Sequence, residues 1–314
     1  MKKSLAAAAA FCMLFAFAGC ERNDGKLKVG IIQYVEHSAL DSAYDGFVDG
    51  LADAGYVDGE KIKIDYHNAQ GEQINCVTIA EKLVNDRSDL ILAIATPAAQ
   101  AVANLTKKIP ILVTTVTDPA SAKLVKSNDA PGTNVSGTSD LTPCAAQIGL
   151  LKELVPSAKK VGMLYCSSEQ NSYFQIELAK RACDELGLEY IDGTVSNSNE
   201  IQQVVQSLCG KVDAIYTPTD NMIAAGMATV AQVAVENKIP VICGEEGMVR
   251  AGGLATYGIN YYELGRQTAA MAVEILRDGR KPAEMPIQYQ EQFDLCVNER
   301  TAEALGIAVP ENLE

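Results

Sequence analysis

Short, nearly continuous apolar runs alternate along the chain with longer stretches whose apolar residues recur at helical spacing. The first run is LKVGIIQY at 27–34, and the stretch at 38–55 then places Leu40, Phe47 and Leu51 on one helical face. Continuous apolar runs of this length are typical of strands buried on both faces of a parallel sheet. The alternation therefore predicts a series of βα units.

The series occurs twice. Three landmarks recur in the same order in each half: Val29-Gly30 and Val161-Gly162, Thr96-Pro97 and Thr217-Pro218, Ile109-Pro110 and Ile239-Pro240. Two such halves predict an α/β fold of two Rossmann-like lobes, each with a parallel sheet between helix layers.

Both Thr-Pro pairs follow a buried strand and precede a helix, as TPAAQ after LILAIA and TPTDN after VDAIY. Thr is a favourable N-cap, and Pro is tolerated at the first helical position. Ser38 and Asp41 fit a capping box at the first helix in the same way. Ligands of open α/β sheets bind beyond the carboxyl ends of the strands. We therefore expect Thr96 and Thr217 to face each other across a cleft.

The last part of the chain predicts repeated crossings between the lobes. A helix is predicted at 261–279 and an extended segment at 285–298. We expect a multi-crossing hinge, and we expect each lobe to be built from two segments. The first lobe is predicted to comprise 27–138 plus about 257–284, and the second 139–256 plus about 285–314.

The N-terminus predicts an exported protein. Residues 1–19 contain Lys2 and Lys3 followed by an apolar run too short to span a bilayer, which is typical of a secretion signal. The signal ends in FAGC and resembles a bacterial lipobox, although Phe17 stands where Leu is usual. Cys20 would then be diacylated and 20–26 would form a polar tether. A plain cleaved signal is the alternative.

Composition narrows the classes of function. The net charge of −14 becomes two units more negative once the signal is removed, which argues against nucleic acid and anionic membranes as partners. His37 and His67 are the only histidines, so no metal site is expected, and no cofactor or enzyme motif is found. Seven cysteines outside the signal and lipobox are scattered without a CxxC pair and predict mainly free, buried thiols: Cys76, Cys144, Cys166, Cys183, Cys209, Cys243 and Cys296.

Several segments in a fixed order carry a family resemblance. The segments IIQYVEHSALDSAYDGF, ATPAAQA, TTVTDPASA, GTSD, SSEQNS, PTDN and GLATYGINYYELGRQTA extend over essentially the whole mature chain. They resemble the ABC-transporter substrate-binding lipoprotein family that includes tryptophan- and tyrosine-binding members; Cys166 departs from it, since Asn is common there. The resemblance implies a type I periplasmic-binding-protein fold and no catalysis.

The same resemblance implies a role in transport. The chain would be a monomer, lipid-anchored on the extracytoplasmic face of the membrane, that delivers a free aromatic amino acid to an ABC permease and its ATPase. Tryptophan is expected first, then phenylalanine and tyrosine. An extracellular sensor feeding a membrane kinase is the alternative role, and branched-chain amino acids or nucleosides are the alternative ligands.

An amino acid needs donors for its carboxylate and an acid for its ammonium group, and strand-end loops that lead into helices can supply both. We expect Asp220 to pair with the ammonium, with Glu246 as its competitor and Glu245 behind both. Each candidate also fits a plain capping or packing role. The predicted ligand-binding residues are Tyr34, Ser38, Thr96, Thr115, Ser139, Ser167, Ser168, Asn171, Thr217, Asp220, Glu246 and Gly258.

The lipobox predicts acylation of Cys20, which can be detected by metabolic labelling. Cells supplied with a clickable fatty acid should label the wild-type chain and leave Cys20→Ser unlabelled, because acylation requires the thiol. Label on both chains, or on neither, would contradict lipidation at Cys20.

Overall fold

The structure is a computed structural model that describes residues 25–313, apart from the side chain of Asn312. The predicted signal and Cys20 therefore lie outside the described residues. No helix within this range is both long and apolar enough to cross a membrane.

Strands and helices alternate through both halves of the chain. Their bounds are β1 Leu27–Gln33, α1 Ser38–Asp53, β2 Ile62–Asn68, α2 Gln73–Asn85, β3 Leu90–Ile94, α3 Thr96–Leu105, β4 Ile111–Thr114, β5 Val135–Gly137, α4 Cys144–Leu154, β6 Lys160–Cys166, α5 Gln170–Glu185, β7 Glu189–Val195, α6 Ile201–Leu208, β8 Ala214–Thr217, α7 Asn221–Ala225, α8 Met227–Glu236, β9 Val241–Cys243, α9 Glu246–Arg250, β10 Ala255–Gly258, α10 Tyr261–Asp278, β11 Asp294–Val297 and α11 Glu299–Leu305.

The strands form two sheets with the same winding. The first has the order β2-β1-β3-β4-β5, and the second has the order β7-β6-β8-β9-β10 with β11 added at the edge. All pairs are parallel except β10 with β11. Central strands such as β3 are fully buried, as their continuous apolar runs require. The predicted α/β fold of two parallel-sheet lobes is confirmed, and the repeated landmarks lie on or directly beside equivalent strands of the two sheets.

The chain passes between the lobes near 138–140, 259–260 and 289–293. Helix α10 packs on α1 of the first lobe, whereas β11 pairs with β10 of the second. The segment 285–288 still belongs to the first lobe, because Gln288 N–H donates to the carbonyl of Gly137 at 3.0 Å. Two lobe boundaries differ from those expected. Residue 257 lies inside β10 of the second lobe rather than at the start of a first-lobe segment, and the last crossing comes after 288 rather than at 285.

The predicted caps were wrong in three places. The N-cap of α1 is His37, and Asp41 accepts a hydrogen bond from Gln33 Nε2 at 2.6 Å instead of completing a capping box. Thr96 lies inside α3 because Ala95 makes the turn with φ +80°. In the second lobe Thr217 ends β8, and Asp220 is the N-cap of α7. Capping residues suit several adjacent positions, so the pattern could not choose among them.

The seven cysteines outside the signal and lipobox are free thiols. Five are buried, while Cys209 and Cys296 are partly exposed. The prediction of mainly free, buried thiols is confirmed.

Helices α1 and α10 cross in close contact through glycine. A Cβ on Gly265 would lie 2.1 Å from the carbonyl oxygen of Ala43, and a Cβ on Gly46 would lie 2.0 Å from that of Tyr262. Real side chains do not fit at such distances, so this crossing requires glycine on both helices.

Gly265→Ala should therefore destabilise the protein. Overpacking of a tight contact costs about 1–3 kcal/mol, which outweighs the gain of about 0.5–1 kcal/mol that Ala normally brings to a helix. Gly149→Ala in α4 is the matched control, because nothing lies within 4 Å of its added Cβ, and it should be neutral or stabilising. Urea denaturation measures both; equal stability of the two variants would contradict the close crossing.

Candidate functional site

The carboxyl ends of the two sheets face each other, and the lobes touch directly across the gap. Thr117 Oγ1 of the first lobe lies 3.3 Å from Thr219 Oγ1 of the second, and Gln175 Nε2 donates to Thr117 Oγ1 at 3.2 Å. At the outer edge, Gln100 Nε2 donates to Gln170 Oε1 at 3.0 Å. These contacts hold the cleft in a closed arrangement.

A small cavity remains between the lobes. His37 and Leu40 line it from the first lobe, and Asp220, Glu245 and Met248 line it from the second. Its water-accessible space is only about 10 Å³, roughly the size of one water molecule. The lobes have thus closed almost completely over this site.

A larger cavity lies elsewhere. It measures about 840 Å³ and opens at the amino ends of the first sheet, beside Leu27, Lys107 and Arg280. Among the described residues, no buried polar atom without a partner lines it. The interlobe cavity is smaller, but it brings together the chemistry that a ligand site needs, so we place the candidate site there.

Four carboxyl groups are buried at the lobe interface, and each is at most 4% exposed: Asp140, Glu169, Asp220 and Glu245. Within residues 25–313, none of them forms an ion pair with Lys or Arg. Burial raises the pKa of Asp140 to about 6 and that of Glu245 to about 7. Burial together with the nearby Asp220 raises the pKa of Glu169 to about 8. The interface is therefore rich in acid and lacks a compensating cation.

Three of these carboxyl groups satisfy helix N-termini. Asp220 accepts from Ile223 N–H at 2.8 Å through Oδ1 and from Cys166 N–H at 2.6 Å through Oδ2. Glu169 accepts from Met222 N–H of the same helix α7 at 3.1 Å. Glu245 accepts in the same way from the first turn of α9. Their oxygens already have partners.

Asp140 differs from the other three. Its Oδ2 accepts from Tyr261 O–H at 3.2 Å, but its buried Oδ1 has no hydrogen-bond partner among the described residues. An unpaired carboxylate oxygen in a buried site is costly. Asp140 is thus the acid whose hydrogen bonding is incomplete.

Other buried atoms share this property. Most of the buried side-chain atoms that lack a partner in the described chain lie at or just after the end of a strand, or in the first turn of a helix: Thr96 Oγ1, Asp140 Oδ1, Asn171 Oδ1 and Thr217 Oγ1, with His37 Nδ1 at the start of α1. Native proteins satisfy nearly all buried polar groups. Two of these atoms belong to residues that line the interlobe cavity, His37 and Asp140, and they indicate where a polar ligand completes the site.

The structure buries several of the predicted residues where strands end or helices begin. These residues are Tyr34, Thr96, Asn171, Thr217 and Asp220, and burial raises the pKa of Tyr34. Thr115 and Ser139 are buried too, but the hydroxyl of Thr115 donates to the carbonyl of Thr114 and that of Ser139 donates to the carbonyl of Thr117.

Four predicted residues are exposed or already have other partners. Ser167 and Ser168 are exposed, and the Ser167 hydroxyl donates to the carbonyl of Val195. Ser38 is exposed and contacts Gly247 beside the cavity. Glu246 forms an ion pair with Arg250. A Cβ added to Gly258 would lie 3.5 Å from the backbone nitrogen of Glu246, and the expected approach of its backbone to a ligand stays a prediction.

Sequence reasoning missed residues adjacent to those it selected. Asp140 follows Ser139, Glu169 follows Ser168, and Asn221 follows Asp220. In a loop the local backbone turn decides which neighbour points inward, and no periodicity reveals that direction. Glu245 was ranked behind Glu246, whereas the structure buries Glu245 and leaves Glu246 at the surface.

This geometry defines a two-lobed binding protein that closes on a small ligand. The chain belongs to the family of ABC transporter substrate binding proteins, which its sequence matches over residues 28–314. A tyrosine-binding protein of Clostridioides difficile is 44% identical over 92% of this chain and 88% of its own length.

Two solved structures are similar over most of the chain. A domain from Streptococcus pneumoniae in complex with L-Trp has 41% identity and a TM-score of 0.89, covering 92% of this chain and 97% of its own. A ligand-free, open substrate binding protein from Clostridium difficile has 46% identity but a TM-score of 0.70, covering 91% of this chain and 97% of its own. The arrangement of the lobes here is thus closer to that of the ligand complex.

The raised pKa values predict how stability depends on pH. The pKa of Glu245 is about 7 in the folded chain against an ordinary value of 4.5, so between these values the folded chain binds more protons than the unfolded chain. Stability therefore falls as the pH rises through this window, by up to about 1.4 kcal/mol per pH unit for each such carboxyl group. Glu245→Gln should flatten this slope in urea denaturation of the ligand-free protein from pH 5 to 8.

The exposed Glu60→Gln removes the same charge far from the cleft and should leave the slope unchanged. An unchanged slope in Glu245→Gln would mean that this carboxyl group does not hold its proton in the folded chain.

Proposed function

We propose that this chain is the extracytoplasmic solute-binding lipoprotein of an ABC importer, and that its ligand is a free aromatic amino acid, tryptophan first and tyrosine or phenylalanine next. The observation that carries the proposal is the closed interlobe cavity with an incompletely bonded acid, Asp140, in its wall. The tyrosine-binding relative and the L-Trp complex support the ligand class.

Asp140 is the residue proposed for the ammonium group. Its Oδ1 is buried and without a partner among residues 25–313, whereas both oxygens of Asp220 already accept backbone N–H groups. An ammonium donor would complete the hydrogen bonding of Asp140 and supply the cation that the buried acids lack. This reassigns the role first expected for Asp220, which serves as the N-cap of α7.

Thr96 and Thr217 are proposed for the carboxylate group. Both hydroxyls are buried at strand ends without partners in the described chain. A hydroxyl donates readily to a carboxylate. The N-terminus of α3, which begins at Thr96, adds backbone N–H groups and the positive end of its dipole.

The remaining walls suit an apolar side chain. Leu40, Ala224 and Met248 line the cavity together with the ring of Tyr261. Apolar and aromatic walls around a few polar groups are typical of small-molecule sites, and aromatic rings pack well on such surfaces. These walls support an aromatic amino acid over a strongly polar solute.

The composition of the chain provides a direct assay. It has 12 Tyr, 6 Phe and no Trp, so excitation at about 295 nm detects only the indole of the ligand. Titration with tryptophan should give a saturable, blue-shifted signal with micromolar affinity or tighter, about −8 kcal/mol or better. Tyrosine and phenylalanine should displace it more weakly, and leucine should not. No spectral change, or equal displacement by leucine, would reject an aromatic ligand.

The same tryptophan titration, carried out at pH 8, determines which carboxyl group binds the ammonium group of the ligand. Asp140→Asn should lose about 2–5 kcal/mol of binding free energy, because the ammonium loses its charged partner, while its unfolding midpoint stays near that of the wild type. Asp220→Asn is the matched comparison and should reduce stability through the α7 cap more than affinity. The reverse result would return the ammonium to Asp220.

A further inference from the structure

His37 occupies the N-cap position of α1, but its side chain makes no hydrogen bond to that helix. The ring reaches across to the second lobe instead, where Nε2 lies 3.3 Å from Asn221 Oδ1. Histidine is not among the favoured N-cap residues. Capping therefore does not explain a histidine at this position.

The network around Asn221 determines which ring nitrogen of His37 carries the proton. Asn221 donates through Nδ2 to Glu169 Oε2 at 2.5 Å, and its backbone N–H points to the same oxygen at 3.3 Å. Asn171 Nδ2 donates to this oxygen as well, at 3.2 Å, so Oε2 is an acceptor, and the Asn221 amide turns its NH₂ group to Glu169 and its oxygen to the ring. Nε2 must donate to that oxygen, and in a neutral imidazole Nδ1 is then an acceptor.

The Nδ1 atom of His37 is buried and has no hydrogen-bond partner among the described residues. Burial lowers the pKa of His37 to about 4, so the ring is neutral at pH 7 and this nitrogen keeps its lone pair. The residue lines the interlobe cavity next to Leu40, Ala224 and Met248. Asp140, Asp220 and Glu245 line the same cavity, but His37 is the acceptor that adjoins its apolar part. A neutral acceptor beside apolar side chains fits an apolar ligand group that carries one N–H or O–H donor.

We propose that His37 is a specificity-determining residue, and that its Nδ1 accepts a hydrogen bond from the side chain of the ligand. The donor is the indole N–H of tryptophan or the phenol O–H of tyrosine. Phenylalanine has no such donor and would leave Nδ1 of His37 buried without a hydrogen-bond partner, which disfavours the binding of phenylalanine. This inference rests on the proposed function and adds the basis of its selectivity.

Closure sets this selectivity, because the proton position in His37 depends on Asn221 and Glu169 of the other lobe. With the lobes apart, the ring has no amide oxygen to hold its Nε2–H, and Nδ1 is not held as the acceptor. Nδ1 of His37 is therefore held ready to accept the hydrogen bond from the ligand only when the lobes are closed.

The first experiment changes the ligand and leaves the protein intact. Displacement of bound tryptophan is measured with 3-benzothienylalanine, in which sulfur replaces the indole N–H, and tyrosine is compared with phenylalanine. The wild type should prefer the donor-bearing member of each pair by about ten- to a hundredfold. Equal affinities within both pairs would overturn the proposal.

The second experiment uses two substitutions that separate the two ring nitrogens. His37→Gln places its amide near the former Nε2 and keeps a donor for Asn221, but it removes the acceptor at Nδ1. His37→Asn places an oxygen near the former Nδ1 and gives up the contact with Asn221. His37→Gln should lose the preference for the donor-bearing ligands, whereas His37→Asn should retain most of it at lower overall affinity.

The outcomes separate this inference from the proposed function. If His37 only joins the lobes or accepts from the ammonium group, both variants weaken all amino acids equally and the ratios do not change, which overturns the inference alone. If no aromatic amino acid binds the wild type, the proposed function fails, and the inference fails with it.

Discussion

The arrangement of the site depends on burying four carboxyl groups between two lobes, with no Lys or Arg paired to them in the described chain. An ionised group pays a large desolvation penalty there. The N–H groups that begin α7 and α9 offset part of it for Glu169, Asp220 and Glu245. The raised pKa values show that the offset is incomplete. A ligand that brings a positive charge favours the closed arrangement, so the charge of the ligand couples binding to lobe closure.

The fold could be predicted because each strand that is buried on both faces is a continuous run of apolar residues in the sequence. Runs such as LILAIA are continuous because both faces of β3 are covered, and each run is separated from the next by a helix of fitting length. The duplicated landmarks then gave both sheets the same winding. What could not be predicted were details set by tertiary pairing, such as the segment 285–288, which stays with the first lobe because Gln288 bonds to Gly137 at the sheet edge.

The sequence indicated where in the fold a site would lie, at the carboxyl ends of the strands, but it did not identify the individual side chains. The strand-end rule led to Thr96, Asn171, Thr217 and Asp220, but it could not tell an incompletely bonded acid from one that caps a helix. The difference between Asp140 and Asp220 lies in partners that are distant in sequence, such as Tyr261 and Cys166. The role of His37 likewise depends on Asn221 of the other lobe, a pairing that no local pattern contains.

The burial of the free thiols affects how readily they react after the protein has been synthesised. A thiol exchanges with disulfides or reacts with peroxide mainly as the thiolate. Burial raises the pKa of Cys144 and Cys166 to about 11 and that of Cys76 and Cys183 to about 12, so the folded chain holds almost no thiolate at these positions. Once the protein has folded, these four thiols react slowly, so at these positions the risk of wrong cross-links is confined to the interval between synthesis and folding.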